Sequence, residues 1–182
     1  PGNHEFDNRF SGYYPYWARQ KGHGQPPWSK RTIAGWQILD LNSEAPHGPG
    51  SPQVRWLDRT LANARGDCRI AFWHRPAYSA GKYEEGNDRA RQYWDALAGG
   101  ARIIVNGHDH DMQRLRPRDG IVEFISGAGG RHRHNVDERD PKLAFGDDGH
   151  FGALRLRLSF ERAMWRFVSA RGRALDKGSL SC

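Results

Sequence analysis

ARIIVNGHDHDMQR, residues 101–114, carries a short apolar run (Ile103, Ile104, Val105) that breaks off at Asn106-Gly107 and two histidines. The run is brief and rich in β-branched residues, which predicts a buried strand, and Gly107 lets the chain turn sharply at its end. In open α/β sheets ligands bind beyond the carboxyl ends of strands. His108 and His110 therefore leave the sheet where chemistry is usually placed. Taken alone, H-x-H at a strand end reads as a metal site or as a polar turn.

Upstream, residues 68–73 (CRIAFW) predict a second strand, with His74-Arg75-Pro76 at its end. The helix expected over 89–98 carries Ala90, Tyr93, Trp94 and Leu97 on one face and stops at Gly99-Gly100. Asp88 is its expected N-cap. Further back, Ser51-Pro52 predicts a helix start, Val54, Leu57, Leu61 and Ala64 give its apolar stripe, and Gly66 its end. Before it, TIAGWQILDLN (32–42) reads as one strand. The order is strand, helix, strand, helix, strand, which means two βαβ units with right-handed crossovers. Strands joined this way are parallel and lie about 5 Å apart when adjacent. His74, His108 and His110 should then fall within metal-coordinating reach of one another. Three histidines on neighbouring strand ends favour a metal.

Downstream, GIVEFIS (120–126) predicts another strand and residues 131–150 an irregular, mobile loop. Residues 153–160 and 163–169 alternate apolar and polar around Glu161-Arg162, as in an antiparallel hairpin with one wet face. His132 and His134 form a second H-x-H in the Arg-rich loop, but no strand end or partner ligand is expected to present them. His150 reads as structural, and His23 and His47 as loop residues.

At the other end, Asn3-His4 beside Glu5 offers a hard amide oxygen and an imidazole. With the other histidines, that oxygen suits Zn, Mn or Fe better than Ca or Mg. Residues 6–32 read as a loop broken by Gly12, Gly22, Gly24, Pro15, Pro26 and Pro27. Its aromatics (Phe6, Phe10, Tyr13, Tyr14, Tyr16, Trp17, Trp28) could line a cleft, although covering an open core is the commoner use.

The 182 residues suffice for one domain, but 37% hydrophobic residues and a mean hydropathy of −0.86 leave a thin core. No stretch reaches the roughly 18 apolar residues of a membrane span, and PGNHEFDN is no signal peptide. With neither Met nor leader, the sequence reads as an excised piece. The net charge is +7, yet the arginines are scattered, which argues against a nucleic-acid face; the commoner reading is a solvated surface, and the sharper one a basic surface that attracts anionic substrates. A Cys68–Cys182 disulfide would pin the tail beside a core strand in an oxidising compartment, and two free thiols is the alternative.

Gly2-Asn3-His4-Glu5, His74 in WHRPAYSAG, and Gly107-His108-Asp109-His110 resemble the later three motifs of the calcineurin-like metallophosphoesterases. The wider match through LDLN, QVRWLDRTLA, CRIAFWHRPAYSAGKYEEGND, NGHDHDMQR and GIVEFISGAGG is similar to the bacterial branch close to purple acid phosphatases. The resemblance implies an α/β fold: part of an αββα sandwich, a mixed sheet with βαβ units and a C-terminal antiparallel hairpin. It implies a metal-dependent phosphoester hydrolase in which two cations (Fe, Zn or Mn) direct hydroxide attack on phosphorus. Asn3, His74 and His108 match the ligands of one metal and His110 a ligand of the other. His4 matches the residue that contacts the phosphate, while Arg75 and Tyr78 would border the substrate. The family's chain ends also suggest the Cys68–Cys182 bridge, consistent with a secreted or periplasmic protein.

The family's first two motifs, which supply the bridging aspartate, would lie upstream of Gly2. Residues 1–182 thus correspond to the C-terminal portion of a single domain whose N-terminal half is missing. The ligands present are all neutral, whereas two adjacent cations need anionic ligands. Asp109 should alternate away from its flanking histidines, and Asp111 has no ligand counterpart in the family. The chain alone is expected to keep at most one metal and to leave a sheet exposed to self-association. Three functions compete: a hydrolase of phosphoester substrates in its complete form, a catalytically silent fragment, and an Arg-rich nucleic-acid-binding module with one structural metal.

Overall fold

The computed structural model describes residues 1–21, 28–62, 68–83 and 88–182. Seven strands form one mixed sheet: β1 (Ser29–Ile33), β2 (Trp36–Asp40), β3 (Arg69–Phe72), β4 (Ile103–Asn106), β5 (Met112–Leu115), β6 (Val122–Ser126) and β7 (Leu143–Asp147). Their order is β1-β2-β3-β4-β6-β5-β7. The centre, β2-β3-β4-β6, is parallel. Helices α3 (Pro52–Ala62) and α4 (Asp88–Leu97) make the two crossovers expected between β2, β3 and β4. A second sheet, β10-β9-β8, contains β8 (Gly152–Ser159), β9 (Arg162–Ser169) and β10 (Ala174–Ser181).

Alternation along the central strands builds a core on each face of the large sheet. Leu39, Ala71 and Ile104 face Leu57, Tyr93, Trp94 and Leu97 of the helices. Ile38, Ile70 and Ile103 face Leu154, Leu156, Leu158, Trp165 and Phe167 of the small sheet. The layers are therefore helix, sheet, sheet. Cys68 and Cys182 are joined by a disulfide, with their Cα atoms 5.0 Å apart, which ties β10 to the start of β3.

Several elements differ from the expectations. Residues 32–42 are not one strand but the hairpin β1–β2, turned by Ala34 and Gly35 at φ 51° and 85°. Two successive left-handed residues make the tight turn that matches strand twist. The stretch read as a loop contains α1 (Asn3–Asp7) and α2 (Tyr13–Lys21). Pro15 falls in the first turn of α2, where a missing N–H breaks no helical bond. Gly22, His23, Gly24, Pro26, Pro27 and Gly66 lie outside the described residues.

β5 is an unanticipated strand, paired with β6 on one side and β7 on the other. Residues 131–150, expected to be irregular and mobile, include β7, and both His134 and Asp140 are buried. The tail forms β10, whose charged and Gly-containing sequence hides its period. Its pairing with β9 slips at a bulge between Ala174 and Asp176.

Candidate metal centre

His74 lies just beyond β3 and His108 just beyond β4, and the parallel register brings the two turns together. The Gly107 N–H donates to the His74 carbonyl (3.0 Å). Asn3 arrives as the first residue of α1 rather than from a strand end. The Gly2 N–H donates to the Glu5 carboxylate (2.7 Å), which fixes the entry to that short helix. Gly2 also packs so closely on His74 that a Cβ there would meet its ring at 2.7–2.8 Å.

Three donor atoms converge. Asn3 Oδ1 lies 2.8 Å from His74 Nε2, and His108 Nδ1 lies 3.2 Å from the same nitrogen. Burial, reinforced by the Arg75 guanidinium, lowers the His74 pKa to about 4. His108 is likewise lowered to about 4, by burial first and then by His74 and Arg75. Both rings are therefore neutral near pH 7. A proton on His74 Nε2 satisfies the amide oxygen but gives His108 Nδ1 only a shared bond. Arg75 Nη1, 3.3 Å from His108 Nε2, favours the tautomer with hydrogen on Nδ1, which sets two donors face to face. A cation among the three lone pairs removes the conflict, because ligand atoms about 2.0–2.1 Å from one ion stand roughly 2.9–3.4 Å apart, depending on its geometry. The donor set fits a transition metal.

Arg75 is held by Glu44 through its Nε (2.8 Å) as it faces His108. Tyr83 stacks on His108, with ring centroids 4.2 Å apart. The backbone of His108 sits at φ 67°, an uncommon left-handed value for a side chain of this size.

The turn is fixed from below by a buried polar network. The Ser79 hydroxyl donates to Asp109 Oδ2 (2.5 Å), and the Gln113 amide donates to Ser79 Oγ (3.1 Å) and Asp111 Oδ1 (2.9 Å). Burial pushes the Asp111 carboxyl up to about 7. Gly127 passes so close to the turn that a Cβ would overlap the Asp109 carbonyl oxygen.

The sequence-predicted residues thus divide. Asn3, His74 and His108 meet, with Arg75 beside them. His110 is directed away from them, to His132 and His134. His4 is exposed and lines a separate depression with Asn8, Phe10 and Tyr16. Tyr78 packs on Trp94 (centroids 5.0 Å) beneath Arg118, on the helix side.

Sequence reasoning left His132 and His134 without a partner, but the structure supplies one: one ring nitrogen each of His110, His132 and His134 lies within 4.8 Å of the others. Burial lowers the His110 pKa, against the carbonyl of His132, which raises it. The repeated H-x-H was the available signal. Asp109 is fully buried, and its Oδ1 is 3.3 Å from His134 Nδ1. The supporting roles of Ser79, Gln113 and Tyr83 had no motif to announce them.

A cleft of about 730 Å³ opens beside His74 and Gly107. Tyr13, Trp17 and Trp28 line it with Leu154 and Leu156, so aromatics of the N-terminal segment do border a cleft next to the donors.

The layered fold, with His74 and His108 at neighbouring parallel strand ends, defines an α/β domain carrying a candidate metal centre. The family model for calcineurin-like phosphoesterases matches residues 1–112, and the chain belongs to that family. Tartrate-resistant acid phosphatase type 5 from Homo sapiens is 27% identical over 154 residues, 78% of this chain and 47% of that protein. The Mus musculus protein is 27% identical over 141 residues, 73% of this chain and 43% of its own length. The chain thus spans about half the length of these relatives. Among solved structures, purple acid phosphatase PPD1 from Lupinus luteus superposes with a TM-score of 0.75 at 16% identity, over 85% of this chain and 32% of that one. GAP50 of Plasmodium, an anchor in the inner membrane complex, gives 0.69 at 17% identity, over 85% and 53%. No helix among the described residues is long and apolar enough to cross a membrane.

Proposed function

We propose that this chain is the metal-binding C-terminal part of a phosphoester hydrolase that is active in its complete form. The observation that carries this reading is the approach of both Asn3 Oδ1 (2.8 Å) and His108 Nδ1 (3.2 Å) to His74 Nε2. These residues would hold one cation, and His110 would serve a second. When bound, the cations would supply Lewis-acid neutralisation of phosphoryl oxygens and a water-derived nucleophile at neutral pH.

The chain's own residues set the terms. Burial keeps both imidazoles unprotonated and ready to ligate. Arg75, anchored on Glu44, holds His108 in place and adds positive charge beside an anionic substrate. His4, exposed and next to Asn3, is available to contact a phosphoryl oxygen or a leaving group. Tyr78, turned to the helix side, is given no substrate role. The disulfide supports a secreted or periplasmic setting.

Metal analysis together with hydrolysis of a chromogenic phosphate monoester tests the reading. The protein should take up a transition metal, and His108→Ala should lower its content. Equal stoichiometry in the two proteins would refute the site. A second reading, a catalytically silent fragment, is favoured by the chain spanning only about half of its relatives. Metal uptake without turnover would support it.

A further inference from the structure

We propose that His110, His132 and His134 form a three-imidazole transition-metal site of their own, built from the two H-x-H motifs of this chain. The inference rests on the proposed function only in taking His110 as a ligand of the second cation, and it names His132 and His134 as that cation's further ligands within this chain.

One ring nitrogen from each residue lies within 4.8 Å of the other two. Tetrahedral ligands about 2.0–2.1 Å from zinc stand roughly 3.4 Å apart, so small side-chain rotations close the site. The two motifs are locked side by side. The His134 N–H donates to the His110 carbonyl (3.2 Å), and the His110 and His134 rings stack with centroids 4.1 Å apart. The His132 ring stands edge-on to both, at 5.5 Å.

The outer contacts are those that metal-bound histidines use. His110 Nδ1 lies 2.9 Å from the His132 carbonyl, so it carries the hydrogen and Nε2 keeps the lone pair. His134 Nδ1 lies 3.3 Å from Oδ1 of Asp109, a fully buried carboxylate that Ser79 holds from the other side. The His110 N–H donates to that same Nδ1 (3.2 Å), so placing hydrogen on Nδ1 toward the carboxylate, which leaves Nε2 for a metal, gives up that bond. A carboxylate–histidine–metal arrangement fixes ring orientation and raises ligand basicity. Asp109 thereby supplies the negative charge that three neutral rings lack.

Three nitrogen donors select Zn, Cu, Ni or Co over Mg or Ca. His132 is exposed, which opens the fourth coordination position to solvent and an exchangeable ligand. Tyr83 stacks on His108 and meets His134 edge-on at 5.8 Å, so a single ring separates this cluster from the Asn3–His74–His108 set.

The test titrates Co(II), read by visible absorption and by metal analysis, into the His74→Ala variant, from which the first donor set has been broken. One equivalent should bind with the spectrum of a nitrogen-ligated ion. Adding His132→Ala, an exposed position that the fold does not need, should abolish it. His134→Gln, which keeps the buried volume, should weaken binding at least tenfold. No Co(II) binding by His74→Ala, or undiminished binding after His132→Ala, would overturn the inference. The proposed function is judged separately, on the metal that the wild type holds and His74→Ala loses.

Discussion

Glu123 lies on β6 with one carboxylate oxygen accepting the Ala77 N–H (3.1 Å) and the other without a hydrogen-bond partner among the described residues. Burial pushes its pKa up to about 8, against the backbone donors and Arg118, which lower it. The folded-state pKa therefore exceeds the unfolded value of 4.5. The stability this group contributes is complete below pH 4.5 and lost as pH rises through about 8, with a slope of at most about 1.4 kcal/mol per unit. Thermal melts from pH 5 to 9, roughly bracketing that range, should show the decline. Glu123→Gln should flatten it, and an unchanged slope would rule Glu123 out as its source. Gly2 makes the same kind of local demand on space. In Gly2→Ala the new methyl meets the His74 ring, and metal affinity should fall by roughly 10–100-fold, as for a displaced ligand support. Isothermal titration with Zn would measure it, and wild-type affinity would show that the ring need not stay where it is.

Among the elements, the β1–β2 hairpin shows what pattern reading misses. TIAGW looks continuous because Ala34 is apolar, yet only the turn's left-handed backbone lets Ile33 pair with Trp36. Ala34 carries a strain that Asn relieves, since Asn tolerates positive φ. Ala34→Asn should raise stability by about 0.5–1 kcal/mol, measured by denaturant unfolding. A loss of stability would mean the turn is not of this type. By contrast α3 and α4 were legible, because their apolar stripes follow the helical period and bury Leu57, Tyr93, Trp94 and Leu97. β5 and β10 were not, since strands of mixed composition become strands only when neighbours pair with them. β1, the sheet edge, is exposed along Lys30, Arg31 and Thr32, and such charge discourages further pairing.

At the scale of the molecule, the disulfide closes a separation of 114 residues and fastens the small sheet to the large one. Cross-linking a loop of that size should stabilise by roughly 3–5 kcal/mol through the unfolded state. Cys182→Ser should lose about that much in urea unfolding. Thiol titration of the unreduced protein should find no reactive thiol and, after reduction and denaturation, two. Titratable thiols before reduction would refute the bridge. The outer face of the small sheet sets Arg155, Arg166 and Lys177 in one cross-strand row, so the positive charge is less scattered in space than along the chain.

The sequence by itself determined the parallel strands, their helical crossovers and the meeting of His74 with His108, because apolar period and connection length are local properties. It also carried the motifs by which Asn3 could be joined to them. Tertiary structure alone decided where His110 turns. One H-x-H motif suggested a single cluster, but the strained turn at His108 and the buried Ser79–Asp109–Gln113 network set its two histidines in different surroundings. His132 and His134 became partners only because β5, β6 and β7 fold their loop back against that turn, a contact that no local pattern encodes.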